Sequence, residues 1–456
     1  MIRDILVDLS VEKIRIDFGD LTASVFRSVS INNNCSLIQL TSLFSHISYK
    51  TIRSCIIILF QYNLILFENF KSSRNSFIKK IKFIIVTAKI SEAIYRIRYP
   101  RFISLIEYDY GFYAASILRL ILNSGQVYLS FVKKNFSDCS REKLEIIEDI
   151  LIHIARDGLI IPCNVDTKSN YLRHSILGGH LSSHVLSKPT FTSMTSSWKI
   201  SISMFNFRFK LNILFSLLQE YQTYHTKHVL KFYLSKLLSL QFFSHQFVWF
   251  SIDSIPDYCN DDLVSLSPDE KTILLSIENL GFVDQFIELK KNMFKLNLKN
   301  IKTFFCEKLI ENLIINQFGK KFGIVFKILA TKRICEEKEI LQKSIFNRFQ
   351  TKMILYHMHR IGFIFIEDFH KHRQTPKSTR FWKLDLTSIV KKISITILKA
   401  LYNLLVRQES YYLSIKKNFK AKKNEKYLQE KRILFLKKVD TLKTAITRSD
   451  EILSML

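Results

Sequence analysis

Phe318-Gly319-Lys320-Lys321-Phe322-Gly323-Ile324-Val325-Phe326-Lys327 opens the stretch, Gln317 to Leu384, from which the fold is read. The stretch continues through Met353-Ile354-Leu355 and Arg360-Ile361-Gly362-Phe363-Ile364 to Pro376-Lys377-Ser378-Thr379-Arg380-Phe381-Trp382-Lys383-Leu384. Two pieces of it recur upstream, and a recurring unit takes precedence in reading a sequence. The opening piece is an aromatic, a Gly, a small residue four positions on, then two apolar residues and a cation. It fits Phe18-Gly19…Ala23…Val25-Phe26-Arg27 and Tyr110-Gly111…Ala115…Ile117-Leu118-Arg119 as well as the home stretch. The closing piece is an apolar residue, six variable positions, Gly or Asn, then two apolar residues. It occurs at Ile56…Asn63-Leu64-Ile65, Leu151…Gly158-Leu159-Ile160, Leu274…Gly281-Phe282-Val283 and Leu355…Gly362-Phe363-Ile364. From opening Gly to closing Gly or Asn the separation is 44 (19 to 63), 47 (111 to 158) and 43 (319 to 362). In the third copy the opening piece is degenerate, around Tyr221 to Leu230.

Gly or Asn after an amphipathic helix supplies the left-handed residue that ends it. The β-prone run that follows, such as Phe363-Ile364-Phe365-Ile366, reads as a strand. Each copy therefore reads helix, short helix, longer helix, strand. That is the order of a winged-helix unit, whose helix before the wing can enter a DNA groove. The expected fold is mainly α with small β wings: four tandem winged-helix domains followed by a C-terminal antiparallel coiled-coil hairpin.

Winged helix 1 is expected over 1–87, with Asp17 or Asp20 capping the helix through Val29, further helices over Ser36–Leu43 and Ser48–Tyr62, and a basic wing over Lys71–Lys82. Winged helix 2 is expected over 88–165. Pro100 disfavours helix at Tyr99 and sets a break there. The last helix of this copy, Ser140 to Arg156, is acidic on part of its surface. A Ser, Thr, His and Gly-rich linker follows over 166–197, then winged helix 3 over 198–296 and winged helix 4 over 297–384. Over 385–456 the pattern is helical. Ile389, Ile393, Thr396, Ile397, Ala400, Leu401 and Leu404 share a face, and Lys416–Lys426 breaks the helix. The row Leu428, Phe435, Leu442, Ser449, Leu456 repeats every seven residues, with Arg432, Val439, Ile446 and Leu453 four after its members, as in a coiled coil.

The 456 residues suffice for three or four domains. Apolar content of 47% permits packed cores. A net charge of +28 points to polyanionic partners, nucleic acid first. The seven cysteines are scattered without a C-x-x-C, no signal peptide is apparent, and the chain is read as one of a reducing compartment. No apolar run reaches the length of a membrane span, so no membrane association is expected.

Nucleotide-binding, nucleophile-elbow and metalloprotease motifs are absent. Cys163, His174, His180 and His184 are spaced irregularly in a loop-like region and are read as no zinc site. His357 and His359, two apart on a helix, do not share a face, and His370 with His372 adds to a cationic loop. The reading is therefore a non-enzyme with no cofactor and no metal. The candidate DNA-binding residues are basic. Arg348 and Lys352 lie on the last helix of the fourth copy, with Lys371, His372, Arg373, Lys377 and Arg380 in the loop after its strand and Trp382 nearby. Such a loop suits phosphate contact plus base stacking, against the plain alternative of a solvated wing with Trp382 in the core. In the first copy the candidates are Lys50 and Arg53 on the third helix and Lys79, Lys80 and Lys82 in the wing.

These features resemble the large winged-helix subunit of the RNA polymerase III initiation heterotrimer, a family related to the alpha subunit of general transcription factor IIE. The residues that carry the resemblance are Asp17-Phe18-Gly19-Asp20-Leu21, Ile97-Arg98-Tyr99-Pro100-Arg101-Phe102, Trp198-Lys199 with Phe205-Asn206, Phe318-Gly319, Pro376 to Arg380 with Trp382 and Leu386, and Leu401 to Arg407. The resemblance implies a non-catalytic polymerase subunit in the nucleus. It would work with other RNA polymerase III subunits, especially two smaller heterotrimer subunits, with the initiation factor that carries the TATA-binding protein, and with promoter DNA, which it would help to open at small non-coding RNA genes. The third copy's lost Gly, the acidic helix of the second and the compact length depart from the family pattern. Two other readings compete: a free-standing winged-helix transcription factor, and a winged-helix scaffold that binds only protein.

Overall fold

The computed structural model describes residues 2–32, 35–71, 82–136, 141–163, 197–221, 250–251, 287–290, 293–370, 378–420 and 425–455. They are mostly helical, with four three-stranded antiparallel sheets. Two compact units hold them, the first containing Met1–Ile213 and Leu398–Asp450, the second Gln246–Ile397.

In the first unit, α1 (Ile2–Phe18) and α2 (Asp20–Asn32) meet at Gly19, whose φ is +89°. A positive φ is cheap only without a Cβ, so this Gly breaks what would otherwise be one helix. Asp17, expected as a possible cap, instead accepts from Lys13 at 2.8 Å and from Arg96 at 2.6 Å. Next come β1 (Cys35–Ser36), α3 (Leu37–Leu43), α4 (Tyr49–Gln61), β2 (Ile65–Lys71) and β3 (Lys82–Ala88). Ser36 and Gln39 form a capping box on α3, and Ser48 caps α4. Asn63 ends the α4 region at φ +59°, as the closing piece requires. The strands pair in the order β1-β3-β2 over a core that includes Phe26, Leu40, Ile52, Leu59 and Val86.

The same order follows with α5 (Ile90–Tyr95), a 3₁₀ turn at Arg96–Arg98, α6 (Tyr99–Tyr110), α7 (Phe112–Ser124), β4 (Val127–Tyr128), α8 (Leu129–Asn135), α9 (Arg141–Arg156), β5 (Ile160–Pro162) and β6 (Ser197–Ile200). Tyr99 is helical, against the expected break: Pro100 stands in the first turn, where a backbone N–H has no helical partner to lose. The boundary expected at 198 also shifts. Trp198 pairs with Val127 and Pro162, and Met204, Phe205 and Phe209 of α10 (Ile202–Tyr221) lie in the same core as Phe102 and Leu151. The strand Ser197–Ile200, which begins where the polar stretch ends, returns to the second copy's sheet.

A third sheet joins β7 (Phe250–Ser251), β8 (Ile287–Lys290) and β9 (Met293–Leu296). The closing piece at Leu274–Val283 lies outside the described residues.

The second unit repeats the pattern in α11 (Leu298–Phe318), α12 (Lys320–Lys332), β10 (Ile334–Glu336), α13 (Glu337–Ser344), α14 (Arg348–Ile361), β11 (Ile364–His370) and β12 (Ser378–Leu384), in sheet order β10-β12-β11. Gly362 ends α14 in the left-handed region at φ +76°. Two long helices complete the chain, α15 (Leu386–Lys420) and α16 (Glu425–Met455). On α15 the buried row is Ile389, Leu398, Leu401 and Leu405, so Thr396 and Ala400, expected on that face, are exposed. On α16, Val439 and Ile446, seven apart, are buried. The Lys438 ammonium lies 5.9 Å from the Tyr411 ring centre, linking the two helices. Among the described residues no helix is long and apolar enough to cross a membrane.

Candidate nucleic-acid interface

In the first and fourth copies the candidate cations Lys50, Arg53, Arg348 and Lys352 lie on the helix before the last two strands. In the first copy, α4 turns Ile52, Cys55, Ile56 and Leu59 into the core. At about 100° per residue the opposite face then carries Lys50, Arg53, Ser54 and Ile57, all exposed. Among the described residues neither Lys50 nor Arg53 meets a carboxylate, so both cations are available to phosphate oxygens. Lys82 starts β3, in register with Lys71. Lys79 and Lys80 lie outside the described residues.

In the fourth copy, Asn347 caps α14, accepting from the Gln350 backbone N–H at 2.8 Å, and Thr351, Ile354, Leu355 and Met358 are buried. Arg348 and Lys352 are not bare cations: each lies 3.8 Å from the same Glu337 oxygen. Arg380, expected in the loop, and Trp382, expected near it, sit in strand β12, opposite Asp368 and Ile366. Trp382 is 2% exposed, with Tyr356 edge-on at 5.4 Å and His359 at 6.3 Å. The expectation that it stacks on bases is corrected: a base needs an open ring face, and this ring is inside the core. Lys371, His372, Arg373 and Lys377 lie outside the described residues.

The residues of the Ile97–Phe102 motif do different work. Arg98 is 6% exposed. Its Nε and Nη2 donate to the two carboxylate oxygens of Asp450 at 2.7 and 2.8 Å, and its Nη1 donates to Asn206 Oδ1 at 2.8 Å. Tyr95 and Phe209 flank the guanidinium at 4.9 and 5.2 Å. The planar fork matches a carboxylate as an ammonium would not. Arg98 and Asn206 are thus a clamp on α16, not a DNA contact. Asp450 stands 352 positions from Arg98, and no local pattern marks it as the partner. Arg208 forms a second buried centre, 3.0 Å from Asp157 and 3.4 Å from Asp109. Burial pushes the Asp109 carboxyl up, against the lowering pull of Arg208.

In the first unit a cleft of about 440 Å³ opens beside Tyr62, Glu92, Tyr99, Gly125 and Lys199. Burial raises the Glu92 carboxyl, opposed by Lys89 and Lys199. Among the described residues no three His, Cys, Asp or Glu side chains gather as metal ligands.

No protein-family model matches the chain. It is similar to DNA-directed RNA polymerase III subunit rpc3 of Dictyostelium discoideum, 26% identical over 119 residues that cover 26% of this chain and 18% of the relative. It is also similar to DNA-directed RNA polymerase III subunit RPC3 of Mus musculus, 21% identical over 164 residues covering 36% of this chain and 29% of the relative. The matched part is thus under a third of either relative's length. These are distant, partial similarities to one subunit of one polymerase.

Proposed function

We propose that the chain is a non-catalytic, nuclear subunit of a DNA-dependent RNA polymerase III. In this reading it is built of four tandem winged helices and a coiled-coil hairpin, and it acts in initiation. The observation that carries the reading is the partial similarity to this one subunit in two distant organisms, joined to a fold of repeated three-stranded wings. The charge of +28 and the open cations Lys50 and Arg53 support contact with promoter DNA through the first copy. The other polymerase subunits, two smaller heterotrimer subunits among them, and the factor carrying the TATA-binding protein are the expected partners.

Tagged purification from native nuclear extract, followed by mass spectrometry, tests the reading. Large polymerase subunits in amounts equal to the tagged chain are expected, and recovery of the chain alone or as a homodimer overturns it. The DNA contact has its own test. Replacing Lys50 and Arg53 together by Ala is expected to weaken binding about equally for all sequences and to lower the salt slope by about 2. An unchanged slope assigns the DNA contact to other residues.

A further inference from the structure

The first and fourth copies are in register across the helix before the wing: the N-caps Ser48 and Asn347, and the closing residues Asn63 and Gly362, are each 299 positions apart. Position for position, the outward face therefore compares directly. Where α4 carries Lys50, Ser54 and Ile57, α14 carries Phe349, Met353 and Tyr356. Phe349 is 77% exposed, Met353 55% and Tyr356 48%. With Arg360 they fall within about 60° of arc, opposite the buried Thr351, Leu355 and Met358. Just before the helix, Ile345 is 95% exposed and left-handed, at φ +57°. A β-branched residue is strained there, and among the described residues its side chain lies open.

A helix that reads a groove presents donors and acceptors to base edges. This one presents a Phe, a Met and a Tyr in a row, the residue types concentrated at the centre of protein interfaces. Cations border the row: Arg348 and Lys352, two cations that share the single Glu337 carboxylate at 3.8 Å, along one flank, and Arg360 at its end. We propose that the outward face of α14 docks a protein partner, an amphipathic acidic helix whose apolar side covers Phe349, Met353 and Tyr356. Its carboxylates face Arg348, Lys352 and Arg360. This rests on reading the chain as a subunit of a multisubunit assembly, and it moves Arg348 and Lys352 from the DNA interface to the rim of a protein interface.

The test places a photo-crosslinking phenylalanine analogue at position 349 of the full chain, tagged in its native cells, and maps the crosslinked peptides. A single protein segment with apolar residues at helical spacing and net negative charge is expected. The variant F349K/M353S gives α14 the residues of α4 at exposed positions, so folding should be retained and is checked by an unchanged melting temperature. It is expected to cut recovery of the crosslinked protein about tenfold or more without lowering DNA affinity. Crosslinks to DNA, to a basic segment or to no macromolecule overturn the proposal, as does undiminished recovery in F349K/M353S. Crosslinking to an acidic segment in a preparation without polymerase subunits upholds the docking face and overturns only the polymerase reading.

Discussion

Trp382 shows how a residue's role follows from its register rather than its type. In β12 it faces Cys335 on one side and Ile366 on the other, in the middle of a three-stranded sheet. Its indole N–H finds no acceptor among the described residues. Trp382→Ala is expected to cost about 3–5 kcal/mol, as for other large core aromatics. Trp382→Phe removes the unpartnered N–H as well as volume, and about 1.5 kcal/mol or less is expected in denaturant unfolding. Loss of DNA binding by a folded Trp382→Phe variant would restore the stacking role. Asp385 offers a pH test. Its carboxylate accepts from the Thr387 and Ser388 hydroxyls at 2.6 and 2.7 Å and from the Thr387 backbone N–H at 3.0 Å, which holds its pKa at about 2 against an ordinary 3.8. A carboxyl lowered on folding stabilises above its unfolded pKa and loses that contribution as pH falls through the folded value. The start of α15 is therefore expected to loosen between about pH 4 and pH 2. Asp385→Ala should abolish that pH dependence and cost about 1 kcal/mol at neutral pH. Amide exchange over residues 386–390 reads both.

At the scale of elements, the kink between the paired helices recurs. Gly19, Gly111 and Gly319 have φ of +89°, +85° and +96°, and a Cβ on any of them would touch nothing within 4 Å. Substitution there costs backbone strain alone. At Gly125, φ +80°, a Cβ would also run into the Gln61 carbonyl oxygen, where Gln61 Nε2 donates to the Ser124 carbonyl at 2.9 Å. Gly319→Ala is thus expected to cost about 1–2 kcal/mol, and Gly125→Ala clearly more. Equal melting temperatures for the two would contradict the close approach. Much at this scale was legible. Helix ends at Asn63, Gly158 and Gly362 were marked because a left-handed residue must stop a helix, and the strand that follows is β-branched and apolar. Two things were not. The strand at Ser197–Ile200 follows a polar stretch that carries no periodicity, so its return to the second sheet left no local trace. The exposed row on α14 did leave one: once Ile354, Leu355 and Met358 are set inward, Phe349 and Met353 must point out. Reading Arg348 and Lys352 by charge alone passed over it.

At the scale of the whole molecule, the Arg98–Asp450 pair is what sequence reading could not reach. Local pattern has no hold on two residues separated by 352 positions. Breaking a buried pair leaves the other charge unmatched, and about 3–5 kcal/mol is the expected cost. Asp450→Ala should therefore loosen α16, seen as faster amide exchange from residue 439 to 450, while Asp450→Glu keeps the charge and recovers part of the loss. Exchange in Asp450→Ala that matches the parent chain would argue that the clamp is incidental. The pair also sets a clock on biosynthesis. A ribosome adds about 5–20 residues per second, so Arg98 emerges on the order of 20–70 s before its carboxylate exists. During that interval the nascent second copy holds the guanidinium with Asn206, Tyr95 and Phe209 but without its carboxylate. A holding chaperone has its longest opportunity on this chain there, and a message broken ahead of codon 450 would release a product that folding alone cannot complete.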